Sequence, residues 1–333
     1  MKKLLLATSI LAGTAGLAAA EITLSGDARM GFLNDFVFDP TGVEDDDTAF
    51  TSRARVTFTF SGETDGGLSF GASFRADNSE NAASGRAGSV FLSGAFGKIS
   101  MGDVDGAALS AVGHIDGVGL TGLGDRNELS FIANGGLGDD DLSDLDISGA
   151  VTLTGDPTAL YEYTTGNIGL FVSVTDPGHD MDFDFGPGGA LASDGLAWAI
   201  GANYTTDAYK FSIGYEDLDI DSQTTVDNVS VQHLILGADA TFGAFTAKVR
   251  YGQADVDQNG LNTVDFDQWG LSGTYTMDAI AVTGYISNKQ FSDAGTGANV
   301  FEVQSIGLGA SYDLGGGASI VGGVVDSEET DLA

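Results

Sequence analysis

A transmembrane antiparallel β-barrel is the fold class that the sequence predicts, and three observations predict it. Segments in which apolar and polar residues alternate recur along the whole chain. Short and long connections between these segments take turns. After the first twenty residues, no stretch approaches the roughly 20 apolar residues that a membrane helix needs. If the chain crosses a membrane, it therefore crosses as strands.

The segment 50–62 shows the alternation most clearly. Arg53 and Arg55 share one parity with threonines, whereas Val56 and Phe58 lie on the other. Because side chains alternate between the two faces of a strand, one face is apolar and the other is polar and cationic. In a soluble sandwich the apolar face would meet a second sheet, and in a transmembrane barrel it would meet lipid. The ordered alternation of short turns and long loops favours the barrel.

Fifteen segments have this strand pattern, and most reach the length of about 9 to 11 residues that crosses a bilayer with tilt. They are 22–33, 50–62, 67–77, 88–95, 97–103, 158–165, 168–175, 194–206, 208–217, 231–242, 244–254, 266–276, 279–289, 301–313 and 317–326. Single-chain bacterial barrels have an even number of strands because both termini return to one side. We therefore expect a sixteenth strand, of about eight to ten residues, beyond Ala333.

Residues 1–20 predict a secretory signal peptide. Lys2 and Lys3 precede an apolar run, and three consecutive alanines supply the cleavage site before Glu21. Residues 21–333 then form a single barrel domain. The sequence contains no cysteine, which excludes disulfides and thiolate metal sites. Its 48 acidic and 13 basic residues give a net charge of −35, which argues against nucleic-acid binding.

Four segments carry a resemblance to a known family. They are LSGDARMG at 24–31, SRARV at 52–56 with GASFRA at 71–76, VFLSGAFGKISMGD at 90–103, and GLGASYDLGGGASIVGG at 307–323. In order and spacing they resemble the alphaproteobacterial general diffusion porins. The resemblance implies a 16-stranded barrel in the outer membrane, assembled as a homotrimer and in contact with lipid and lipopolysaccharide. It also implies a water-filled pore for small hydrophilic solutes and ions, narrowed by a long third loop that folds inward, with no cofactor and no enzymatic activity.

The third long connection, residues 103–157, is the segment that would narrow the pore. It contains eleven acidic residues and a single basic one, Arg126. A connection of that length is usually functional or disordered, and its scattered apolar residues need a surface on which to dock. We expect the segment to fold into the barrel, although a solvated loop outside it is the alternative. The acids expected at the constriction are Asp103, Asp105, Asp116, Asp125 and Glu128.

The electrostatic counterpart of these acids is a group of arginines on the wall. Arg29, Arg55 and Arg75 have the inward parity of three consecutive strands, and their distances from the short-turn ends predict one common height. Arg53 is expected one pleat higher. The alternative role for them is bracing of the wall. Five further basic residues share the inward parity, as expected because Lys or Arg facing lipid costs about 2 to 4 kcal/mol at mid-bilayer; they are Lys98, Lys210, Lys248, Arg250 and Lys289.

Other function classes leave weaker signals. A substrate-specific channel with a weak sugar or anion site is the main alternative to a general pore. A barrel enzyme would need a catalytic histidine, and His114, His179 and His233 show no catalytic or zinc-ligand spacing. The glycines of 117–122 match a dinucleotide fingerprint without the βαβ unit that it requires.

One segment resembles the opening of a calcium loop. Asp255, Asp257 and Asn259 match its first ligand positions, but Phe266 stands where a bidentate glutamate is required. The sequence therefore predicts no resident cofactor and, at most, adventitious calcium at these three residues.

Overall fold

A computed structural model provides the structure of the chain. It describes residues 21–34, 37–38, 44–45, 48–77, 88–120, 122–133, 158–175, 193–222 and 228–331. The predicted signal peptide at 1–20 and the part of the third connection at 134–157 lie outside the described residues, as does His179.

The described residues form one 15-stranded antiparallel sheet and a separate two-stranded hairpin. The sheet strands are β1 (Glu21–Asn34), β4 (Thr48–Glu63), β5 (Ser69–Asp77), β6 (Gly88–Gly94), β7 (Gly97–Gly102), β8 (Thr158–Thr165), β9 (Ile168–Thr175), β10 (Ser193–Thr205), β11 (Tyr209–Ser222), β12 (Val229–Phe242), β13 (Phe245–Gln258), β14 (Leu261–Met277), β15 (Ile280–Asp293), β16 (Ala298–Gly315) and β17 (Ala318–Asp331). Each strand pairs with its neighbours in chain order. The hairpin consists of β2 (Val37–Phe38) and β3 (Glu44–Asp45).

Two short helical elements follow β7, namely α1 (Ala107–Val112) and the single turn α2 (Gly122–Asp125). No helix among the described residues is long and apolar enough to cross a membrane.

The two faces of the sheet differ as the alternation predicts. On β12, Leu234 and Leu236 are exposed on the outer face, whereas His233 and Ile235 are buried on the inner face. The other strands repeat the pattern, and large apolar side chains cover the outer surface. Exposed aromatic residues accompany them: Tyr204, Tyr209, Tyr275 and Tyr312 lie near strand ends, whereas Trp198, Tyr251 and Trp269 lie midway along β10, β13 and β14. An apolar outer band with aromatic residues towards its margins is the surface of a membrane barrel.

All fifteen predicted strands are confirmed, but several extend further than predicted. β13 and β14 continue to a two-residue turn at Asn259 and Gly260, where the sequence predicted a long loop. Both turn residues have positive φ, 54° and 76°, as in the type I′ turn that Asn-Gly favours. The prediction was wrong here because alternation identifies the lipid-facing part of a strand, whereas the hydrogen-bonded ladder continues beyond it.

The even-numbered barrel with a sixteenth strand stays a prediction. Strands β1 and β17 are the two edges of the sheet, and they form no ladder with each other within the described residues.

Candidate functional site

The first part of the third long connection lies against the inside of the sheet. It leaves β7 at Gly102 and forms α1, whose alanines 107, 108 and 111 are fully buried. The helix packs on the inner faces of β9, β10, β11 and β12. The sequence of this connection has no obvious helix pattern, so α1 is a feature that only the structure reveals. The expectation that the apolar residues dock inside the sheet is met by Leu109, Val112, Ile115, Val118 and Leu129, all of them buried.

Inward-facing glycines provide the surface on which α1 rests. A Cβ at Gly214 would lie 2.7 Å from the Cβ of Ala108, and a Cβ at Gly201 would lie 2.6 Å from that of Ala111. These two glycines are directly paired across β10 and β11. Because real Cβ atoms do not approach so closely, any side chain at either position would displace the helix. The small wall residues and the alanines of α1 therefore fit one another.

The glycine surface continues along the path of the segment. A Cβ at Gly270 on β14 would lie 2.9 Å from Ile115, and a Cβ at Gly309 on β16 would lie 2.8 Å from Val118. At its far end the segment reaches β17, where Arg126 forms an ion pair with Glu329 at 3.3 Å. The segment thus crosses the interior from β9 to β17.

Polar contacts fix the outgoing limb of the segment to the wall. The backbone N–H of Ala107 donates to Ser173 Oγ at 2.8 Å, and Arg250 Nε donates to the carbonyl of Gly113 at 2.8 Å. Asp116 makes three contacts with the wall. Its backbone N–H donates to Ser272 Oγ, its Oδ2 accepts from Thr274 Oγ1, and its Oδ1 lies 2.5 Å from Lys248 Nζ.

The returning limb is held by a second set of contacts. Ser130 exchanges two hydrogen bonds with the side-chain amide of Gln268, at 2.7 and 2.8 Å. The backbone N–H of Ile132 donates to Glu216 Oε2 at 3.0 Å. Where the limbs meet, the N–H of Gly106 donates to the carbonyl of Ala133. The two limbs are therefore tied to each other as well as to the wall.

The predicted acids are spread over the segment rather than gathered at one point. Asp116 is engaged with Lys248, and Glu128 Oε2 lies 3.6 Å from His114 Nε2. Asp125 interacts electrostatically with Arg29 of β1. Asp103 and Asp105 lie close together where the segment leaves β7.

Asp105 differs electrostatically from an acid in open water. Its side chain touches the water of the interior, but the enclosing protein displaces much of the solvent around it. This burial raises the pKa of the Asp105 carboxyl, and the carboxylates of Asp103 and Glu162 raise it further. As the pH falls, the negative charge of Asp105 is therefore lost before that of an ordinary aspartate.

The arginines lie on a diagonal and not on one row. Arg29 pairs directly with Arg53, whereas Arg55 pairs with Asp27, and Arg75 pairs with Thr57 one further pleat towards the short turn. The prediction of one common height stays a prediction, because barrel strands tilt relative to the barrel axis and the hydrogen-bonded register alone does not give the height of a residue. Arg53 donates to Asp27 Oδ2 at 2.9 Å, so part of the positive charge is balanced on the wall itself.

The calcium candidates do not form a loop. Asp255 and Asp257 lie within β13, opposite Asp265 and Asn262, and Asn259 occupies the tight turn. No group of three or more His, Cys, Asp or Glu side chains in the described part of the chain is arranged to hold a metal ion.

Sequence reasoning missed several residues that position the segment. The sequence does contain a sign of the inward glycines 201, 214, 270 and 309, since they recur at the inward parity of the strands that follow the long connection. It contains no sign that Glu216, His233 and Gln268 hold the segment, because any water-lined wall also has polar residues at inward parity.

An antiparallel sheet with an apolar outer face and a polar inner face, crossed inside by a folded segment, defines a membrane channel. The chain belongs to the Gram-negative porin family, whose model matches residues 7–332. It is 38% identical to a porin of Rhodobacter capsulatus over 92% of this chain and 95% of that protein. It is 30% identical to a porin of Fuscovulum blasticum over 91% of this chain and 94% of that protein.

Solved structures agree with these sequence relationships. A porin structure refined at 1.8 Å superimposes with a TM-score of 0.68 and 34% identity, covering 92% of this chain and 95% of that one. A variant of the Rh. blastica porin gives a TM-score of 0.57 with 25% identity, covering 91% and 94%. An outer membrane protein of Vibrio cholerae, at 13% identity and a TM-score of 0.64, shares the fold. The chain is therefore an outer-membrane general diffusion porin, and it is a channel and not an enzyme.

Proposed function

We propose that the narrowest part of this pore lies between the inward segment 103–133 and the arginine-bearing wall of β1, β4 and β5. The observation that carries the proposal is the burial of α1 against β9 to β12, because it keeps the segment inside the barrel. On the opposite side, the Arg29 guanidinium interacts electrostatically with Asp125 of the segment. Small hydrophilic solutes and ions would pass between these two surfaces.

The charge arrangement explains why such a passage favours polar solutes. Positive charge on the wall and negative charge on the segment give a field across the pore, which orders the water dipoles. An apolar solute must disrupt this ordered water, whereas a small polar solute exchanges hydrogen bonds with it at a lower cost. The net charge of −35 attracts cations to the pore mouths. Weak cation selectivity is therefore part of the proposal.

A second candidate function, a weak anion site in the lumen, has one observation in its favour. Lys210 lies opposite Asp239 on the inner face of the wall, and the Asp239 carboxylate forms an ion pair with Arg250. Lys248 lies on the other side of Asp239 and is paired with Asp116. Three cations here share two carboxylates, and the remaining positive charge suits a small anion.

Conductance of the purified protein in planar bilayers separates the two functions. A general pore gives stepwise, ohmic conductance that does not saturate with salt concentration, and liposome swelling with graded sugars then gives the size limit. A specific anion channel gives conductance that saturates with the anion. The general pore would be refuted by a folded protein that produces no conductance steps.

We also propose that the porin is a homotrimer that contacts its neighbours through the outer face of β1 and β4 to β7. Strands β6 and β7 have seven and six residues, fewer than the roughly 9 to 11 that cross a bilayer. A low wall of this kind suits contact with protein better than contact with lipid. Small residues on this face, such as Ala54 and Ala76, permit close approach. The taller outer faces of β10 to β17 would contact lipid and lipopolysaccharide.

Crosslinking in mild detergent tests the trimer, and we expect trimeric bands from the native protein. Leu24→Trp on the outer face of β1 should weaken them, because the added volume prevents close packing of neighbours. Leu271→Trp on the outer face of β14 is the matched control and should leave the trimer intact, since lipid accommodates the ring. Only monomer from the native protein, or equal bands from both variants, would contradict the proposed interface.

A further inference from the structure

Three polar side chains from three different strands meet beneath the returning limb of the segment. They are Glu216 on β11, His233 on β12 and Gln268 on β14, with exposed fractions of 1%, 3% and 0%. His233 Nδ1 lies 2.8 Å from Glu216 Oε2, and His233 Nε2 lies 3.1 Å from Gln268 Nε2. Buried polar groups in such a network stabilise one arrangement strongly, because an unpaired member is costly.

The network holds the returning limb at two points. Gln268 binds both the N–H and the carbonyl of Ser130, and Glu216 Oε2 accepts from the N–H of Ile132. Between these points the ring of Phe131 packs edge-on against the imidazole of His233, with the ring centroids 6.0 Å apart. His233 joins the two side chains that hold the limb, through Nδ1 to Glu216 and Nε2 to Gln268.

A glycine makes this junction possible. His233 and Gln268 belong to β12 and β14, which are separated by β13, and they meet directly above Gly252. A Cβ at that position would lie 2.8 Å from His233 Nε2 and 2.9 Å from Gln268 Nε2. Any larger residue would therefore push the two side chains apart.

The hydrogen bonds determine the protonation state of His233. Ser130 fixes the orientation of the Gln268 amide, because its N–H requires the amide oxygen and its carbonyl requires the amide nitrogen. The amide nitrogen can only donate, so His233 Nε2 must accept, and the ring proton is on Nδ1, which donates to Glu216. The ring in this arrangement is neutral. A second proton, on Nε2, would bring two donors face to face, and Gln268 could not rotate without losing Ser130.

Several charged or titratable groups surround the junction. Glu216 on β11 is in direct contact, and its Oε1 has no hydrogen-bond partner among the described residues. Lys289 on β15 lies opposite Gln268, and Arg250 on β13 is two residues from Gly252. On the segment, His114 and Glu128 form an ion pair beside Phe131. Glu216 favours a positive charge on His233, whereas Lys289 and Arg250 oppose it.

We propose that Glu216, His233 and Gln268 form a latch that holds the returning limb against the wall only while the imidazole is neutral. Histidine changes its charge between about pH 5 and pH 8, so acidification would break the contact with Gln268 and free the limb at Ser130. The freed limb would move into the pore and narrow it. This inference rests on the proposed function, because it regulates the same constriction.

Single-channel conductance measured at high salt tests the latch. We expect the conductance of the native protein to fall to roughly half between about pH 7.5 and pH 5. His233→Gln should abolish this fall, because the glutamine side chain offers one donor and one acceptor at every pH. His114 is the competing switch, because its Nδ1 accepts from the N–H of Leu129 on the same limb. His114→Gln keeps an acceptor there at every pH and should retain the fall. Titration of the acids in the lumen affects the three proteins alike.

Gly252→Ala provides an independent test if His233→Gln does not fold. It separates His233 from Gln268, so its conductance should be low already at pH 7.5. The latch would be overturned if the conductance of the native protein did not fall at low pH, or if that of His233→Gln still fell. It would also be overturned if the conductance of His114→Gln no longer fell, or if Gly252→Ala behaved as the native protein. Ohmic conductance at pH 7.5 without any pH effect would refute the latch alone, whereas absence of conductance at pH 7.5 in the native protein would refute the proposed function.

Discussion

Replacing Gly214 by valine is expected to lower single-channel conductance and to reduce the largest sugar that enters liposomes. A Cβ at this position would lie 2.7 and 2.8 Å from the Cβ and Cα of Ala108. These are atoms close to the backbone of α1, so the helix must move away from the wall and into the lumen. Such overpacking costs about 1 to 3 kcal/mol. The strand itself has no need of glycine here, since Gly214 does not have a positive φ, and we expect the barrel to fold.

A second glycine on the same sheet provides the control. A Cβ at Gly284 on β15 would have no neighbour closer than 3.6 Å. Gly284→Val should therefore leave both conductance and sugar uptake unchanged. If folded Gly214→Val matched Gly284→Val in both measurements, α1 would not rest on this wall.

Replacing Arg29, Arg55 and Arg75 together by serine should have the opposite effect. The substitutions remove three guanidinium groups from the wall that faces the segment. We therefore expect the conductance and the sugar size limit to increase. Cation preference should increase as well, because Asp125 loses the positive charge with which it interacts. Single-channel recordings with a salt gradient measure both quantities.

A comparison of two single substitutions separates the effect of removing a charge from the effect of its position on the wall. Arg29→Ser and Lys98→Ser each remove one inward positive charge. Lys98, however, lies on β7, outside the wall of β1, β4 and β5, and is paired with Glu162 of β8 at 2.9 Å. We expect Lys98→Ser to change the sugar size limit much less than Arg29→Ser does. If the triple variant kept the native size limit in a folded protein, the arginines would brace the wall and would not form the constriction.

Periodicity predicted the strands of this porin well because lipid imposes it. Residues such as Leu234 and Leu236 must be apolar where they face hydrocarbon, and His233 and Ile235 are free to be either because they face inward. The strand ends were predicted less well. Beyond the membrane the constraint disappears, so β13 and β14 carry aspartates on the outer face while their ladder continues to Asn259.

The constriction could be predicted only in part. Length, acidic composition and scattered apolar residues indicated that the segment 103–157 folds inward, and Asp116 and Asp125 do interact with basic residues of the wall. The contact surface could not be predicted, because the fit of Ala108 to Gly214 joins residues more than 100 positions apart. His233 was placed correctly on the inner face, but its partners on β11 and β14 depend on register across the four strands β11 to β14.

Zero-length carbodiimide crosslinking of the native protein tests most directly whether the segment lies inside the barrel. The reagent joins an ammonium and a carboxylate that already form an ion pair. The Lys98 and Glu162 pair belongs to two adjacent wall strands and reports that the reagent reaches the lumen, whatever the position of the segment. The structure predicts a second crosslinked peptide, between Asp116 of the segment and Lys248 of β13. Crosslinking of Lys98 to Glu162 without any crosslink between Asp116 and Lys248 would place the segment away from the wall and contradict the constriction.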